Sequence, residues 1–300
     1  KYASTREKLC FGIGAIGKDA ICNLVGAFLM LYFTDTLYLA PAFVGVLFFV
    51  ARIWDAINDP MMGMIVDNTH TRFGKFRIWL VIGTLVNSVV FVLLFHSFNL
   101  SGTALYVYVS VMYILYGMTY TIMDVPYWSW LPNLTNDPHE REKVSVIPRF
   151  FASLAGFSIG VFGLSMINGM DKIFGNGDRT AGFRMVALVI SILFVFTISV
   201  TIVNVKEKVT EKAAEHTSFK QIINILFKNK QLIAYIGLLL AYNLCMQIVN
   251  GIIIYYFKYV AGKEGLFSIF SVCILAEMGG LVVFPKIVKK LGREKMFAMA

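Results

Sequence analysis

Charge is scarce in this 300-residue chain. Asp, Glu, Lys and Arg together make up 15% of it, where soluble globular domains carry about a quarter. That shortage excludes a soluble enzyme, a disordered chain and a coiled coil. Proline is also sparse, with 7 residues, and it shows no collagen-like repeat with the 24 glycines. The four cysteines, Cys10, Cys22, Cys245 and Cys273, form no C-x-x-C pair. At least three lie inside apolar runs and read as small hydrophobes. The histidines His70, His96, His139 and His216 fall in or beside loops, and no zinc or haem site is read from them. No cleavable signal pattern is present at the start. The chain begins at Lys1 and ends inside a new apolar run, so it is expected to be a piece of a longer protein.

What fills the chain is hydrophobic: 58% of residues, with a mean hydropathy of +0.70. Eight apolar segments stand out, at 11–33, 43–66, 78–98, 104–131, 147–168, 183–204, 231–257 and 266–288, and a ninth starts near 296. A helix of about 20 residues crosses a hydrocarbon core of ~30 Å. Runs this long are not barrel strands. The expected class is an all-α, multi-pass membrane protein embedded in the lipid bilayer.

The net charge of +9 would suit a nucleic-acid binder if the protein were soluble. Its placement argues otherwise. With the amino terminus inside, nineteen basic residues fall in inside loops and only Lys172, Arg179, Lys258 and Lys263 in outside ones. This positive-inside bias predicts a cytoplasmic amino terminus and leaves no nucleic-acid partner. The longest inside loop mixes Lys and Glu, and Ser218 to Lys230 within it is expected to form a short helix on the membrane surface. It divides the chain into a six-helix bundle at 1–205, a cytoplasmic middle loop at 206–230 and the start of a second bundle at 231–300. A short echo supports the division: Gly74-Lys75-Phe76-Arg77 follows the second span and Gly292-Arg293-Glu294-Lys295 the eighth. Parallel repeats of this kind occur in transporters. Whether the inside loops bind a regulatory protein is left open.

Seven ionisable residues sit within or at the inner end of spans: Lys18, Asp19, Arg52, Asp55, Asp59, Asp124 and Arg149. Each costs about 2.5–3.5 kcal/mol mid-membrane unless compensated, so they are expected to face an interior cavity and one another. At ~1.5 Å per residue, Asp59, Asp124, Asp19 and Asp55 lie roughly 10, 11, 12 and 16 Å from the inner surface, with Arg149 nearer the mouth. Arg52, Asp55 and Asp59 form one stripe of the second span, Tyr120, Asp124 and Trp128 one stripe of the fourth, and Asp19 shares a face with Asn23. Carboxylates one turn apart repel unless a cation or a proton lies between them. Asp55, Asp59 and Asp124, with a neutral oxygen from Asn58 or Thr121, suit a hard monovalent cation. Pro126 also frees the Ile122 carbonyl. The four aspartates against Lys18, Arg52 and Arg149 leave a balance of −1. The competing reading is a salt-bridge lattice that only holds helices together.

The fourth-span stripe suits a sugar. Carboxylates accept from vicinal hydroxyls, Lys and Arg donate to them, and an aromatic face packs on a pyranose ring. Lys18, Asp19, Asp124, Trp128 and Arg149 supply that mixture. An interfacial tryptophan remains the alternative for Trp128. Gly12-Ile13-Gly14-Ala15-Ile16-Gly17 matches a dinucleotide fingerprint but opens a membrane helix with no preceding strand, so it is read as close helix packing. Ala152, Gly156 and Gly160 read the same way. Glu277 is a lone acid in the eighth span, with no role assigned.

These residues carry a resemblance. Arg52-Ile53-Trp54-Asp55-Ala56-Ile57-Asn58-Asp59-Pro60, the loop through Arg72-Phe73-Gly74-Lys75, and Gly17-Lys18-Asp19 resemble motifs of the glycoside–pentoside–hexuronide cation symporters. Tyr120-Thr121-Ile122-Met123-Asp124-Val125-Pro126-Tyr127-Trp128 and Pro148-Arg149 through Gly156 are similar to their fourth and fifth helices. The resemblance covers the whole chain. It implies a major-facilitator fold of two six-helix bundles, the second incomplete here, in a bacterial inner membrane. It implies a non-enzyme that imports a sugar, such as the α-galactoside melibiose, with Na+, Li+ or H+ by alternating access and with no other cofactor. On that pattern Asp55, Asn58, Asp59, Thr121 and Asp124 would serve the cation. Lys18, Asp19, Tyr120, Asp124, Trp128 and Arg149 would serve the sugar, so that Asp124 touches both. A family lysine near the cation site belongs to later helices. Gly26 stands where an aromatic is expected and Asn23 where a smaller residue is, and both bear on which sugar fits. Another glycoside, a lysolipid or a drug on the same fold is the alternative cargo. A membrane transferase would need a nucleophile or metal near the headgroups, and a channel would not saturate with sugar.

Overall fold

The computed structural model describes residues 4–135, 137–175, 179–207 and 228–291. Among them there is no strand. The helices are α1 (Thr5–Leu31), α2 (Pro41–Asp67), α3 (Arg77–Leu94), α4 (Gly102–Trp130), α5 (Pro138–Phe174), α6 (Arg179–Asn204), α7 (Lys230–Tyr255), α8 (Leu266–Ser271) and α9 (Ile274–Leu291). Both α1 and α7 continue into a π turn, Tyr32–Thr36 and Tyr256–Val260. Seven helices among the described residues are long and apolar enough to cross a membrane.

α1 is the hub, packed against both α5 and α6, while α3 lies between α4 and α6 and α2 rests on α4. The glycine row on α1 accounts for the closeness. A Cβ at Gly17 would stand 2.5 Å from Phe194 Cα, so α6 backbone occupies the space a side chain would need. The same holds between α5 and α8, where a Cβ at Gly160 would meet Ser271 Cβ at 2.6 Å. The expected packing role of these small residues is met. Lipid faces the other sides: on α6, Ile192, Phe196 and Val203 point outward while Val186, Ile190 and Phe194 are buried. Apolar side chains on both faces are what a helix solvated by hydrocarbon requires.

Two helices differ from their expected spans. The helix that carries the fifth span starts at Pro138, while its membrane-capable stretch starts at Val144, close to the expected 147. The added turns are polar, so hydropathy misses them, and they are held by side chains. Lys8 Nζ lies 2.5 Å from Glu140 Oε1, and Thr135 Oγ1 donates to Glu140 Oε2. Those hydrogen bonds, Lys8's first, hold the Glu140 carboxyl below the usual carboxylate range. Their stabilising effect is present at neutral pH and fades as pH falls through that lowered value. The eighth span, expected as one helix over 266–288, is broken at Val272 and Cys273. There Val272, Cys273, Leu275 and Ala276 each bond three residues back, a tighter winding that ends α8 before α9 starts. The ninth span and Gly292-Arg293-Glu294-Lys295 lie outside the described residues, as does most of Ser218 to Lys230.

At the amino-terminal face, α3 starts without a cap from its own neighbourhood. Its orphan amides are met from 130 residues away: Glu207 accepts from the backbone N–H of Lys75 at 2.7 Å, Phe76 at 3.2 Å and Arg77 at 3.4 Å. Gly74, at φ +101°, turns the loop so that these amides converge. Arg77 Nη2 adds a 2.5 Å bond to Val205 O. A carboxylate at a helix amino terminus is also favoured by the macrodipole. Glu207→Ala is expected to lower stability by about 1 kcal/mol, the scale of a lost N-cap. Thermal denaturation of the detergent-purified protein checks this, and an unmoved midpoint would show that the contact contributes nothing.

Candidate functional site

The site forms where α1 meets α4. Lys18 is buried, with only 2% of its side chain exposed. An ammonium so deep in a membrane protein needs partners. Its Nζ lies 2.7 Å from Asp124 Oδ1 and 3.3 Å from Asp19 Oδ2, and donates to Tyr120 OH at 3.4 Å. Three aromatic rings close the remaining directions, with Trp128 at 5.0 Å, Tyr127 at 5.5 Å and Tyr120 at 5.8 Å from Nζ to ring centroid. Desolvated cation–π contacts contribute about 2 kcal/mol.

The fourth-span stripe therefore converges as its four-residue spacing implies: Tyr120, Asp124 and Trp128 all address one ammonium. Tyr127 was not anticipated. Its hydroxyl donates to Phe11 O at 2.6 Å and its ring stacks on Phe11 at 4.5 Å, which fixes α4 against α1 beside the site. Cys22 is the second omission. Read as a small hydrophobe, it stands one turn from Lys18 within electrostatic reach of Lys18, Asp19, Asp124 and Tyr120. The periodicity that places Asp19 and Asn23 together would have found it.

Asp19 makes the longer of the two carboxylate contacts to Lys18. Its Oδ2 is buried and ion-paired to Lys18 at 3.3 Å. Asn23 faces α5: its Nδ2 donates to Asp19 O at 2.7 Å, and its Oδ1 would lie 3.2 Å from a Cβ at Gly156. Gly26 opens onto empty space.

The second-span acids split into two environments. Asp55 pairs with Arg52 at 3.2 Å, and Arg52 Nη2 reaches Tyr113 OH at 3.3 Å. Asp59 instead accepts from Thr121 Oγ1 at 2.9 Å, which ties α2 to α4 one turn before Asp124. The carboxylates of Asp59 and Asp124 lie close enough to interact electrostatically. Asn58, between the two second-span acids, has a buried Nδ2 with no hydrogen-bond partner. No three His, Cys, Asp or Glu side chains among the described residues converge closely enough to hold a metal ion. Asp55, Asp59 and Asp124 thus form a chain of neighbours rather than one cluster.

Arg149 stands apart. It is exposed, and it makes no ion pair among the described residues. The expected reach from α5 to the sugar stripe is not made in this conformation. Glu277 accepts from Ser153 Oγ at 3.4 Å, which links α9 to α5.

A family model described as MFS/sugar transport protein matches residues 10–300. The chain is 29% identical over 285 residues to the inner membrane symporter YicJ of Escherichia coli (strain K12), covering 94% of this chain and 61% of that protein. It is 31% identical over 299 residues to the isoprimeverose transporter of Lactiplantibacillus pentosus, covering 98% and 61% respectively. It is 29% identical over 316 residues to the raffinose carrier protein of Pediococcus pentosaceus, covering 99% and 49%. The chain spans about half to three-fifths of the length of these curated relatives.

Removal of the central cation tests the site independently of any ligand. Lys18→Met leaves Asp124 and Asp19 without their counter-charge, a change that costs about 3–5 kcal/mol for a buried pair. Arg149→Met is expected to cost under about 1 kcal/mol, as for an exposed side chain. Denaturation midpoints of the two variants check the contrast, and equal midpoints would remove Lys18 from the centre of the fold.

Proposed function

The chain belongs to the glycoside–pentoside–hexuronide cation symporters, all-α membrane proteins of the major facilitator superfamily, and from that membership we propose that it imports a glycoside together with a monovalent cation. The observation that carries the sugar half is the Lys18 cluster. A buried donor stands between two carboxylates, Asp124 at 2.7 Å and Asp19 at 3.3 Å, beneath a tryptophan ring. Sugar hydroxyls both donate and accept, and a pyranose offers an apolar C–H face. Relatives named for raffinose and isoprimeverose support this class of cargo. An α-galactoside such as melibiose is the substrate we favour. Gly26, with open space before it, leaves room on α1 for a larger sugar.

Asp59, Thr121 and Asp124 form the core of our cation reading, with Asn58 adjoining and Asp55 one turn further along α2. Thr121 joins the two acids: it bonds Asp59 and lies on α4 one turn before Asp124. Hard oxygen donors of this kind suit Na+ or Li+, and paired carboxylates equally suit a proton; the neutral oxygen of Asn58 favours Na+. Asp124 would then face both ligands. A cation drawing on Asp124 would loosen its hold on Lys18 and free that donor for sugar. The coupling is reciprocal, so each ligand raises the affinity of the other by the same factor. Arg149 would join only when the cavity closes on the sugar. The orientation we favour puts the amino terminus in the cytoplasm, from the inside excess of Lys and Arg.

The deciding experiment is uptake of a labelled α-galactoside into vesicles carrying the intact gene product, with and without a sodium gradient at fixed pH. Saturable, sodium-stimulated uptake is expected. Uptake driven equally by a proton gradient alone would replace the cation, and uptake of neither α- nor β-glycosides would remove the substrate class. Asp59→Cys is expected to abolish cation stimulation while sugar still binds, and Asp124→Ala to weaken both ligands by tenfold or more, about 1.4 kcal/mol each. Binding titrations check this, and loss of one ligand alone would break the shared-residue scheme. Arg149→Lys is expected to weaken sugar binding, because a bidentate fork becomes a point charge.

A further inference from the structure

Two helices of this chain end in the same way, at a constant separation of 224 residues. Tyr32-Phe33 opens the π turn of α1 and Tyr256-Phe257 that of α7. Leu37 N–H donates to Tyr32 O at 2.9 Å, and Ala261 N–H to Tyr256 O at 3.0 Å. Leu39 N–H donates to Phe33 O, and Lys263 N–H to Phe257 O, both at 2.9 Å. Tyr38 then takes φ +57° and Gly262 φ +67°. A non-glycine residue in the left-handed region is uncommon and marks a position held by its surroundings. π turns themselves concentrate at functional places.

These matched ends touch. Lys258 Nζ donates to Asp35 Oδ2, and Tyr259 OH donates to the same oxygen at 2.9 Å. The hydroxyls of Thr34 and Tyr255 lie 2.9 Å apart, and Thr34 Oγ1 is 2.7 Å from Asp35 Oδ1. A second tie stands beside them: Arg179 Nη2, at the start of α6, pairs with Glu264 Oε2 at 3.1 Å. Phe28 and Phe267 meet edge to face at 5.6 Å below. Among the described residues, these two ion pairs are the ones that join the first six helices to the segment after residue 228, and both lie at the end away from the amino terminus. At the opposite end, Lys8–Glu140, Lys75–Asp67 and the Glu207 contacts remain within the first 207 residues.

We propose that Asp35, Lys258 and Tyr259, seconded by Arg179 and Glu264, form the latch of a gate that closes the mouth opposite the amino terminus. The latch lies about 25 Å along α1 from Lys18. Its partners are partly exposed, with side-chain exposures of 12% and 25% in one pair and 30% and 21% in the other. That level suits a contact made and broken repeatedly. Fully exposed pairs contribute too little to hold two bodies together, and fully buried ones lose too much when parted. Loss of either charge shifts the population toward the state open at this mouth. The role as a gate rests on the transport reading, but the test below needs neither sugar nor ion.

Cys22, one turn from Lys18, is a native reporter of access. In a parent variant with Cys10, Cys245 and Cys273 replaced by serine, sealed vesicles of each orientation are treated with a membrane-impermeant maleimide. Asp35→Ala and Lys258→Ala are each expected to raise the rate of Cys22 labelling from the face opposite the amino terminus, by roughly three- to tenfold. Tyr259→Phe, which removes one hydroxyl, is expected to raise it less. The charge exchange Asp35→Lys with Lys258→Asp is expected to return it toward the parent rate. A disulfide formed between Asp35→Cys and Lys258→Cys is expected to block labelling from that face. Unchanged rates in the single variants, equal acceleration from both faces, or continued labelling after cross-linking would each overturn the latch. A labelling response in a protein that takes up no glycoside would keep the latch and remove the cargo assignment.

Discussion

The Lys18 ammonium organises this structure. Among the described residues it is the one cation buried to near completeness, and it reaches from α1 to the Asp124 carboxylate on α4. A charge there is tolerable only if its field is met on every side, so Asp124, Asp19 and three aromatic rings are held around it. The demands propagate outward. Tyr127 must be fixed, and Phe11 fixes it. α1 must approach α6 closely, and Gly17 permits it. Asp124 is thereby placed one turn from Thr121, which holds Asp59 on the neighbouring helix.

In the proposed scheme two chemistries would meet in that arrangement, because one carboxylate would serve both. Asp124 pairs with Lys18 on one side and feels Asp59 on the other. A change in either neighbour alters what Asp124 can offer the other. Coupling of this sort needs no long pathway, since the two candidate sites are separated by a single side chain. Arg52 gives Asp55 a separate partner, which leaves Asp59 and Asp124 as the adjoining acids that lack a basic residue between them.

Much of this was legible in the sequence, and the physical reasons for the gaps differ. Membrane spans follow from hydropathy because lipid selects apolar side chains whatever the tertiary contacts. The convergence of Tyr120, Asp124 and Trp128 follows from helical periodicity, which is local. Lys18 meeting Asp124 across 106 residues does not follow from periodicity, since rotation of one helix relative to another is set by packing. The same dependence on packing explains Arg149, expected at the sugar stripe and found exposed. The polar start of α5 and the break between α8 and α9 escaped because hydropathy averages over side chains and cannot see hydrogen bonds. Cys22 lies on the periodicity of Lys18, but its residue type suggests packing. Lys258 reads in the sequence only as one of few outside charges, and Asp35, at a span's end, carries no local sign of its partner 223 residues away.

The separation of Lys18 from Asp124 also bears on how the chain is made. Synthesis delivers α1 to the membrane long before α4 exists. For that interval Lys18 has no Asp124, and a lysine at mid-span disfavours insertion by about 2.5–3.5 kcal/mol. Asp19 is the partner already to hand, adjacent in sequence and 3.3 Å away in the finished fold. The Lys-Asp pair can thus supply its own counter-charge before Asp124 is in place. The arrival of α4 then exchanges a local pairing for a tertiary one, which makes the fourth span the step at which the first becomes committed to its final place.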